Sequence, residues 1–159
     1  MKLSTQEEYG LRCLLQLSRC ARGKSLTIAE LARLEGISAP NVAKIMRVLR
    51  RSGLVASVRG QAGGYVLARP AGEIDVGEVL AALGPRFFDA GFCTRHAGGD
   101  RRCAHLGDCS IRPLLRQLQT VVDEVLGRLS LRQLLCSERE MSTRASPRPS
   151  GLAATIRSA

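Results

Sequence analysis

The fold is decided by residues 27–55, which read TIAELARLEGISAPNVAKIMRVLRRSGLV. Thr27 and Glu30 have the spacing of a capping box at the start of a helix, and Gly36 is suited to end that helix. After a short turn, a second helix is predicted from about Pro40 to Ser52. Two short helices joined by a glycine-containing turn are typical of a helix-turn-helix, with a generic helical hairpin as the alternative.

The two faces of the second predicted helix differ in chemistry. One face is apolar and is expected to be buried; it consists of Val42, Ile45, Met46 and Leu49. The opposite face carries Pro40 and three cations, Lys44, Arg47 and Arg51. Cations three and four residues apart repel each other on a helix unless anions meet them, and DNA phosphates are such anions. This cationic face favours a DNA-binding helix-turn-helix over the generic hairpin.

A predicted β-hairpin follows directly. Leu54–Val58 and Tyr65–Leu67 are rich in β-forming residues, and the glycine-rich segment RGQAGG lies between them. A hairpin immediately after a recognition helix is a wing, and Arg59 at its base can enter the minor groove of DNA. A nucleotide-binding loop is disfavoured because a strand, rather than a helix, follows the glycines.

Three further helices are predicted outside this segment. An amphipathic helix covers residues 4–20, and a short helix capped by Asp75 covers residues 76–84. A long helix from about Ile111 to Leu129 has apolar residues at alternating spacings of four and three, which favours a dimerisation helix over a long intradomain helix. This predicted seam consists of Ile111, Leu115, Leu118, Val122, Val125 and Leu129.

These patterns predict a mainly α fold with a small β-hairpin wing, that is, a winged helix-turn-helix followed by a long dimerisation helix. The chain divides into four predicted regions, which are a winged helix-turn-helix DNA-binding domain at 1–84, a cysteine loop at 85–110, the dimerisation helix at 111–136 and a disordered tail at 137–159.

The composition agrees with a nucleic-acid partner. The 159 residues carry a formal net charge of +10, with 24 Lys and Arg against 14 Asp and Glu. A basic domain suggests a polyanionic partner, although an arginine-rich genome would also raise the charge. No apolar run is long enough to span a bilayer, and the start MKLSTQEEYG lacks the apolar stretch of a signal peptide. We therefore expect a cytoplasmic protein without a membrane partner.

Three of the six cysteines, Cys93, Cys103 and Cys109, lie close together in the chain. Disulfides rarely persist in the cytosol, so metal or redox chemistry is favoured. Thiolates suit zinc, copper(I) and iron–sulfur clusters. Three thiolates with a variable fourth ligand favour a cluster, while zinc stays open if His96 or His105 completes the set.

The remaining cysteines, Cys13, Cys20 and Cys136, are expected to be small core residues. Cys103 and His105 alone would make a catalytic pair, but no further acid or base accompanies them. We therefore do not expect an enzyme.

Taken together, these elements resemble the IscR/NsrR-type winged-helix iron–sulfur regulators, the Rrf2 family of bacterial transcription factors. The resemblance extends from the N-terminus to about residue 135, and its most specific part is the wing motif R-G-x-x-G-G-Y. It rests on the first helix LSTQEEYGLRCLL, the helix-turn-helix, the wing SVRGQAGGYVLARP and the three-cysteine loop before a long helix. It implies a homodimer that binds palindromic operators in double-stranded DNA and, in many members, carries a 2Fe–2S or 4Fe–4S cluster.

The resemblance also implies roles for individual residues. Cys93, Cys103 and Cys109 are the implied cluster ligands. Arg59 is expected to read the minor groove, while residues near Asn41 and Lys44 meet the major groove. The full expected DNA-contact set is Ser38, Asn41, Lys44, Arg47, Arg51 and Arg59.

The fourth cluster ligand departs from the IscR branch, where a histidine follows the third cysteine. Arg112 replaces that histidine here, and arginine cannot ligate a metal. In other branches an acidic residue on the first helix of the partner subunit takes this role, and Glu8 stands at the matching place. A neighbouring family position that can hold a histidine is Arg12 here. The nuclearity of the cluster stays open.

The resulting hypothesis is a dimeric repressor that senses redox state, nitric oxide or iron and iron–sulfur status through its cluster. One alternative is a clusterless regulator with a thiol or zinc site. Another is a small iron–sulfur electron carrier, which would need neither the wing nor the cationic helix face.

Overall fold

The structure is a computed structural model that describes residues 3–20, 24–60, 63–97, 103, 105, 107–136 and 138–145. These residues form mostly helices and one two-stranded antiparallel sheet, so the predicted fold class is confirmed. In chain order the elements are α1 (Thr5–Arg19), α2 (Ile28–Glu35), α3 (Ala39–Arg51), β1 (Val55–Val58), β2 (Gly64–Leu67), α4 (Val76–Leu83), α5 (Phe92–Arg95), α6 (Ile111–Gly127), a 3-10 turn (Gln133–Leu135) and α7 (Glu138–Ala145).

The helix-turn-helix forms as its capping residues predict. The backbone N–H of Glu30 donates to Thr27 Oγ1 at 3.2 Å, and the N–H of Thr27 donates to Glu30 Oε2 at 2.8 Å. Gly36 ends α2 with φ of 65°, a left-handed conformation that favours glycine. The short turn from Gly36 to Ser38 then leads into α3.

The core of the domain lies between the first three helices. The predicted apolar face of α3 is buried, which confirms the positions of Val42, Ile45, Met46 and Leu49. It packs into one cluster with Cys13 and Leu14 of α1 and Leu31 of α2. The burial of this stripe fixes the orientation of α3 and leaves its cationic face outside.

The wing is held at its base by a segment before α2. β1 pairs with β2 from Val55 opposite Leu67 to Val58 opposite Gly64. The N–H of Leu26 donates to Tyr65 O at 3.0 Å, and the N–H of Tyr65 donates to Leu26 O at 2.8 Å. A β-carbon on Gly64 would lie 2.7 Å from the carbonyl carbon of Leu26, so this approach requires glycine. Residues 61 and 62, at the predicted tip, lie outside the described residues.

Helix α4 packs closely against α1. A β-carbon on Gly10 would lie 2.4 Å from Leu83 Cδ1, so the two helices meet at a glycine. The side-chain amide of Gln6 donates to the carbonyl oxygen of Leu83 at 2.5 Å. Asp75 caps α4 by accepting from the N–H of Glu78 at 2.7 Å, as predicted.

The long helix α6 ends at Gly127 rather than at Leu129, and the chain then returns to the winged-helix domain. The N–H of Val76 donates to Leu129 O at 2.8 Å, and the N–H of Leu131 donates to Ile74 O at 2.9 Å. The side chain of Leu131 is fully buried. The predicted region 111–136 therefore includes a terminal part that completes the winged-helix core.

Two adjacent faces of α6 are apolar. The face called here the outer stripe is exposed by 45 to 59% and consists of Ile111, Leu114, Leu118, Val121 and Val125. The inner face contains the half-buried Leu115, Val122 and Leu126 and the buried Gln119. The predicted seam combines residues of both faces, because Leu115 and Val122 belong to the inner face whereas Ile111, Leu118 and Val125 belong to the outer stripe.

Two segments contain helices that the sequence analysis did not predict. The loop before α6 includes the single turn α5. Residues 138–145 form α7, so the predicted disordered tail is wrong for this part, while residues 137 and 146–159 lie outside the described residues. Glu138 and Glu140 lie in the first turn of α7, where the helix dipole favours acidic residues. No helix in the described part of the chain has the length and hydropathy to cross a membrane.

We expect Leu131→Ala to lower the free energy of unfolding by about 2–5 kcal/mol, because it leaves a cavity in the winged-helix core. Urea unfolding of the purified protein measures this loss. Leu34→Ala is the matched control, since Leu34 is 45% exposed on α2, and should change the value by less than about 1 kcal/mol. Equal losses in the two variants would contradict the core position of residues 129–135.

Candidate DNA interface and cysteine loop

The cationic face of α3 is exposed and unneutralised. Lys44, Arg47 and Arg51 are exposed, and within the described residues none of them forms an ion pair. Ser38 is the N-cap of α3, but its side chain makes no capping hydrogen bond. Its hydroxyl and the exposed amide of Asn41 therefore stand at the N-terminal end of the same helix.

The wing adds a further cation. Arg59 directly follows β1 and is exposed, and the next residue, Gly60, has φ of 110°. The structure thus exposes every residue of the predicted DNA-contact set. It also exposes Arg50 in the last turn of α3, which the sequence analysis had not included.

A small hollow of about 190 Å³ lies at the surface between α1 and α3. Thr5, Gln6 and Tyr9 line it from α1, and Asn41 and Lys44 line it from α3. The first turns of α1 therefore stand beside two predicted DNA contacts. Sequence analysis missed this neighbourhood because the packing of α1 on α3 joins residues more than 30 positions apart.

The three predicted cluster ligands are free thiols with half-buried side chains. Cys93 lies in α5, whereas Cys103 and Cys109 lie in irregular backbone before α6. Within the described residues, no three Cys, His, Asp or Glu side chains are grouped so as to hold a metal ion. The structure thus does not bring these cysteines together, and residues 98–102, 104 and 106 between them are not among those described.

The surroundings of Cys93 carry charges of both signs. Cys93 lines an open hollow together with Arg86, Arg112 and Arg116 and with Asp89 and Asp123. Nη2 of Arg112 also reaches the carbonyl oxygen of His105 at 3.5 Å. By donor chemistry alone, three free thiols fit an iron–sulfur cluster.

The two histidines do not form a zinc site with described cysteines. The ring of His96 stacks on Phe92 with centroids 4.1 Å apart, and its Nδ1 lies 2.9 Å from the carbonyl oxygen of Phe92. His105 is exposed. His96 is therefore engaged in its own helical turn.

Glu8, the predicted fourth ligand, lies on the surface of α1. Its side chain is 60% exposed and pairs with Arg12 at 3.4 Å. Nε of Arg12 also contacts Glu35 Oε2 at 2.6 Å, and Nη2 donates to the backbone oxygen of Glu35 at 2.7 Å. The side-chain hydrogen bond with Glu35 is the main reason that the pKa of Arg12 is raised. One guanidinium thus joins Glu8 to the end of α2, next to the turn of the helix-turn-helix.

Comparison with known proteins gives a match over most of the chain. The Rrf2 family model, described as an iron-dependent transcriptional regulator, matches residues 3–137. The chain belongs to the Rrf2 family. It is 33% identical over 138 residues to the HTH-type transcriptional regulator IscR of Xenorhabdus nematophila, covering 85% of this chain and 79% of that protein.

Two solved structures share the fold of this Rrf2 protein. IscR of T. potens has a TM-score of 0.67 and 26% identity, with 93% of each chain covered. CymR, the global cysteine regulator of B. subtilis, has a TM-score of 0.66 and 26% identity, covering 85% of this chain and 96% of CymR. Rrf2 proteins are DNA-binding transcriptional regulators rather than enzymes, so the predictions of family and of a non-enzymatic role are confirmed.

The three cysteines of the Rrf2 protein outside the loop, Cys13, Cys20 and Cys136, differ in how deeply they are buried. Cys13 is fully buried, and this burial raises the pKa of its thiol to about 11. The predicted core role of Cys13 is therefore confirmed, and the thiol stays protonated and unreactive at neutral pH. Cys20 and Cys136 are only half-buried, which corrects their predicted core placement.

Proposed function

We propose that this Rrf2 protein is a homodimeric repressor that binds palindromic operator DNA and senses redox state, nitric oxide or iron–sulfur status through a cluster on its three-cysteine loop. The observation that carries the DNA-binding part is the cationic face of α3, whose Lys44, Arg47 and Arg51 form no ion pair in the described part of the chain. Such a face is stabilised when phosphates neutralise it.

In this proposal α3 enters the major groove. The N-terminal residues of a recognition helix contact base edges, which suits Ser38 and Asn41 near the start of α3. Lys44, Arg47 and Arg51 would neutralise phosphates along the groove. Arg59 would extend from the wing into the minor groove, where a narrow A·T-rich tract attracts arginine.

The outer stripe of α6 supports the homodimer. Large apolar side chains repeat along one exposed line over 15 residues, from Ile111 to Val125. A contiguous apolar surface of this kind is unusual on a monomer and is typical of an interface. Pairing of two α6 helices would set two winged helices at half-sites about one DNA turn apart.

The sensing part rests on the donor set of the loop. Cys93, Cys103 and Cys109 would hold the cluster, and Glu8 of the partner subunit would supply the fourth ligand. The cluster would supply reactivity toward oxidants and nitric oxide. Arg12 would orient Glu8 while it stays bound to Glu35 next to the turn of the helix-turn-helix.

A clusterless regulator with a thiol or zinc site is the second candidate. It is favoured by the separation of the three cysteines in the described residues and by the structural similarity to CymR, a cysteine regulator. Both candidates share the same DNA-binding surface and differ only in what the cysteine loop holds.

Lys44→Ala should reduce the salt dependence of DNA binding by about one unit in the slope of log K against log salt, because one phosphate contact is lost. Fluorescence anisotropy with a random duplex at several salt concentrations measures this slope. Arg128→Ala is the charge-matched control, since Arg128 lies after the end of α6 and is 81% exposed. The assignment of Lys44 would be wrong if both variants kept the wild-type slope.

Leu118→Asp should convert the dimer to a monomer, because it places a charge in the middle of the outer stripe. Sedimentation velocity at micromolar concentration measures the change. Thr120→Asp introduces the same charge on α6 outside the stripe and should leave the dimer intact. A monomeric wild-type protein, or a dimer that tolerates Leu118→Asp, would refute the pairing of α6.

Anaerobically purified protein should be brown, with about one cluster per chain, and its iron and sulfide content distinguishes 2Fe–2S from 4Fe–4S. Visible absorption and quantification of iron and sulfide provide the test. Cys103→Ser should abolish the colour, whereas Cys20→Ser should retain it. Colourless protein that cannot be reconstituted would favour the zinc or thiol candidate and leave the DNA-binding proposal unaffected.

A further inference from the structure

A further pocket lies between the start of α1, α4, the first residues of the cysteine loop (85–87) and the inner face of α6. Its volume is about 200 Å³, and no cysteine lines it. A cavity of about 150 Å³ can bind benzene, whereas pockets for drug-sized ligands start at about 300 Å³. The pocket therefore has the size for one ring with a short side chain.

The walls of this pocket are mainly apolar. Its largest apolar side chains come from four parts of the chain and are Leu3, Leu80, Phe87, Val122 and Leu126. Gln119 also reaches the pocket, but its amide is already bonded, accepting from the N–H of Phe88 at 2.9 Å and donating to Asp123 at 2.8 Å. The apolar walls favour a hydrocarbon ring over a polar ligand.

The charges on the walls leave one negative charge in excess. Asp123 is compensated, because Arg86 lies 3.3 Å from its Oδ2. Glu7 has no ion pair within the described residues, and its Oε2 accepts from the N–H of Ser4 at 2.7 Å. Its Oε1 accepts no hydrogen bond from any described residue. A ligand that donates hydrogen bonds and carries a positive charge complements this oxygen.

We propose that this pocket binds a small one-ring amine, with the ring among Leu80, Val122 and Leu126 and the ammonium group at Glu7. No cysteine lines this site and it does not require a cluster, although residues 85–87 at the start of the cysteine loop contribute to its walls. Its walls come both from the winged-helix domain, through α1 and α4, and from α6. A ligand that contacts these elements together favours one arrangement of α6 relative to the DNA-binding domain, so the site is suited to an effector.

The test is calorimetric titration of the full-length protein with 2-phenylethylamine. Phenylacetate, which has the same ring and the opposite charge, is the matched ligand control. We expect 2-phenylethylamine to bind and phenylacetate to bind at least about fivefold more weakly, because the carboxylate is repelled by Glu7.

Three variants locate the binding. Glu7→Gln keeps the capping box, since glutamine also serves at this position, and should weaken amine binding at least about fivefold. Ala81→Phe places a ring at the mouth of the pocket and should abolish binding. Glu124→Gln removes a charge from the exposed side of α6, outside the pocket, and should leave the affinity unchanged within about twofold. Thermal unfolding confirms that each variant is folded.

Several outcomes would overturn the proposal. They are absence of amine binding to the wild-type protein, equal binding of amine and phenylacetate, and equal affinity of all three variants. A change of oligomeric state in Ala81→Phe would instead assign the pocket to a contact between copies of the chain. None of these outcomes affects the salt-slope test of DNA binding, so the two proposals fail separately.

Discussion

The buried stripe of α3 is the constraint on which the rest of the molecule depends. Its four apolar side chains fit between α1 and α2, and this packing fixes the rotation of α3 about its own axis. With that rotation fixed, Lys44, Arg47 and Arg51 can only point outward. Repulsion among these cations destabilises the folded protein in the absence of DNA phosphates. The burial of the apolar core offsets this loss of stability.

The local elements of the fold could be predicted from the sequence because their signals are local. The pair Thr27–Glu30 satisfies backbone groups within one helical turn, so its spacing alone indicates where α2 begins. The same holds for Gly36, which ends α2 in a conformation that favours glycine. For the winged helix, prediction and structure therefore differ by at most a few residues at the ends of the elements.

The features that were missed depend on contacts between distant residues. The periodicity of α6 identifies its apolar positions, but it does not say which of two adjacent faces meets α4. The return of Leu129 and Leu131 to residues 74–76 is a backbone pairing across more than 50 positions, without a side-chain pattern of its own. The buried Gln119 is likewise explained only by its partners Phe88 and Asp123. The cluster ligands rest on the family resemblance, since the described cysteines lie apart.

The two ends of α6 are attached to different parts of the chain. A rotation of the helix about one end therefore displaces the other. Its C-terminal end is fixed to the winged-helix domain by the backbone hydrogen bond from Val76 to Leu129, whereas its middle and N-terminal end are attached to the cysteine loop, through the hydrogen bond from Phe88 to Gln119 and through the chain itself. The 17 residues of α6 form a stiff arm of about 25 Å. A tilt of about 5° at the fixed end would move Ile111 by about 2 Å. A shift of about 2 Å at the cysteine loop therefore requires only a small rotation at the C-terminal end of α6. The same rotation displaces the residues of the outer stripe increasingly toward Ile111.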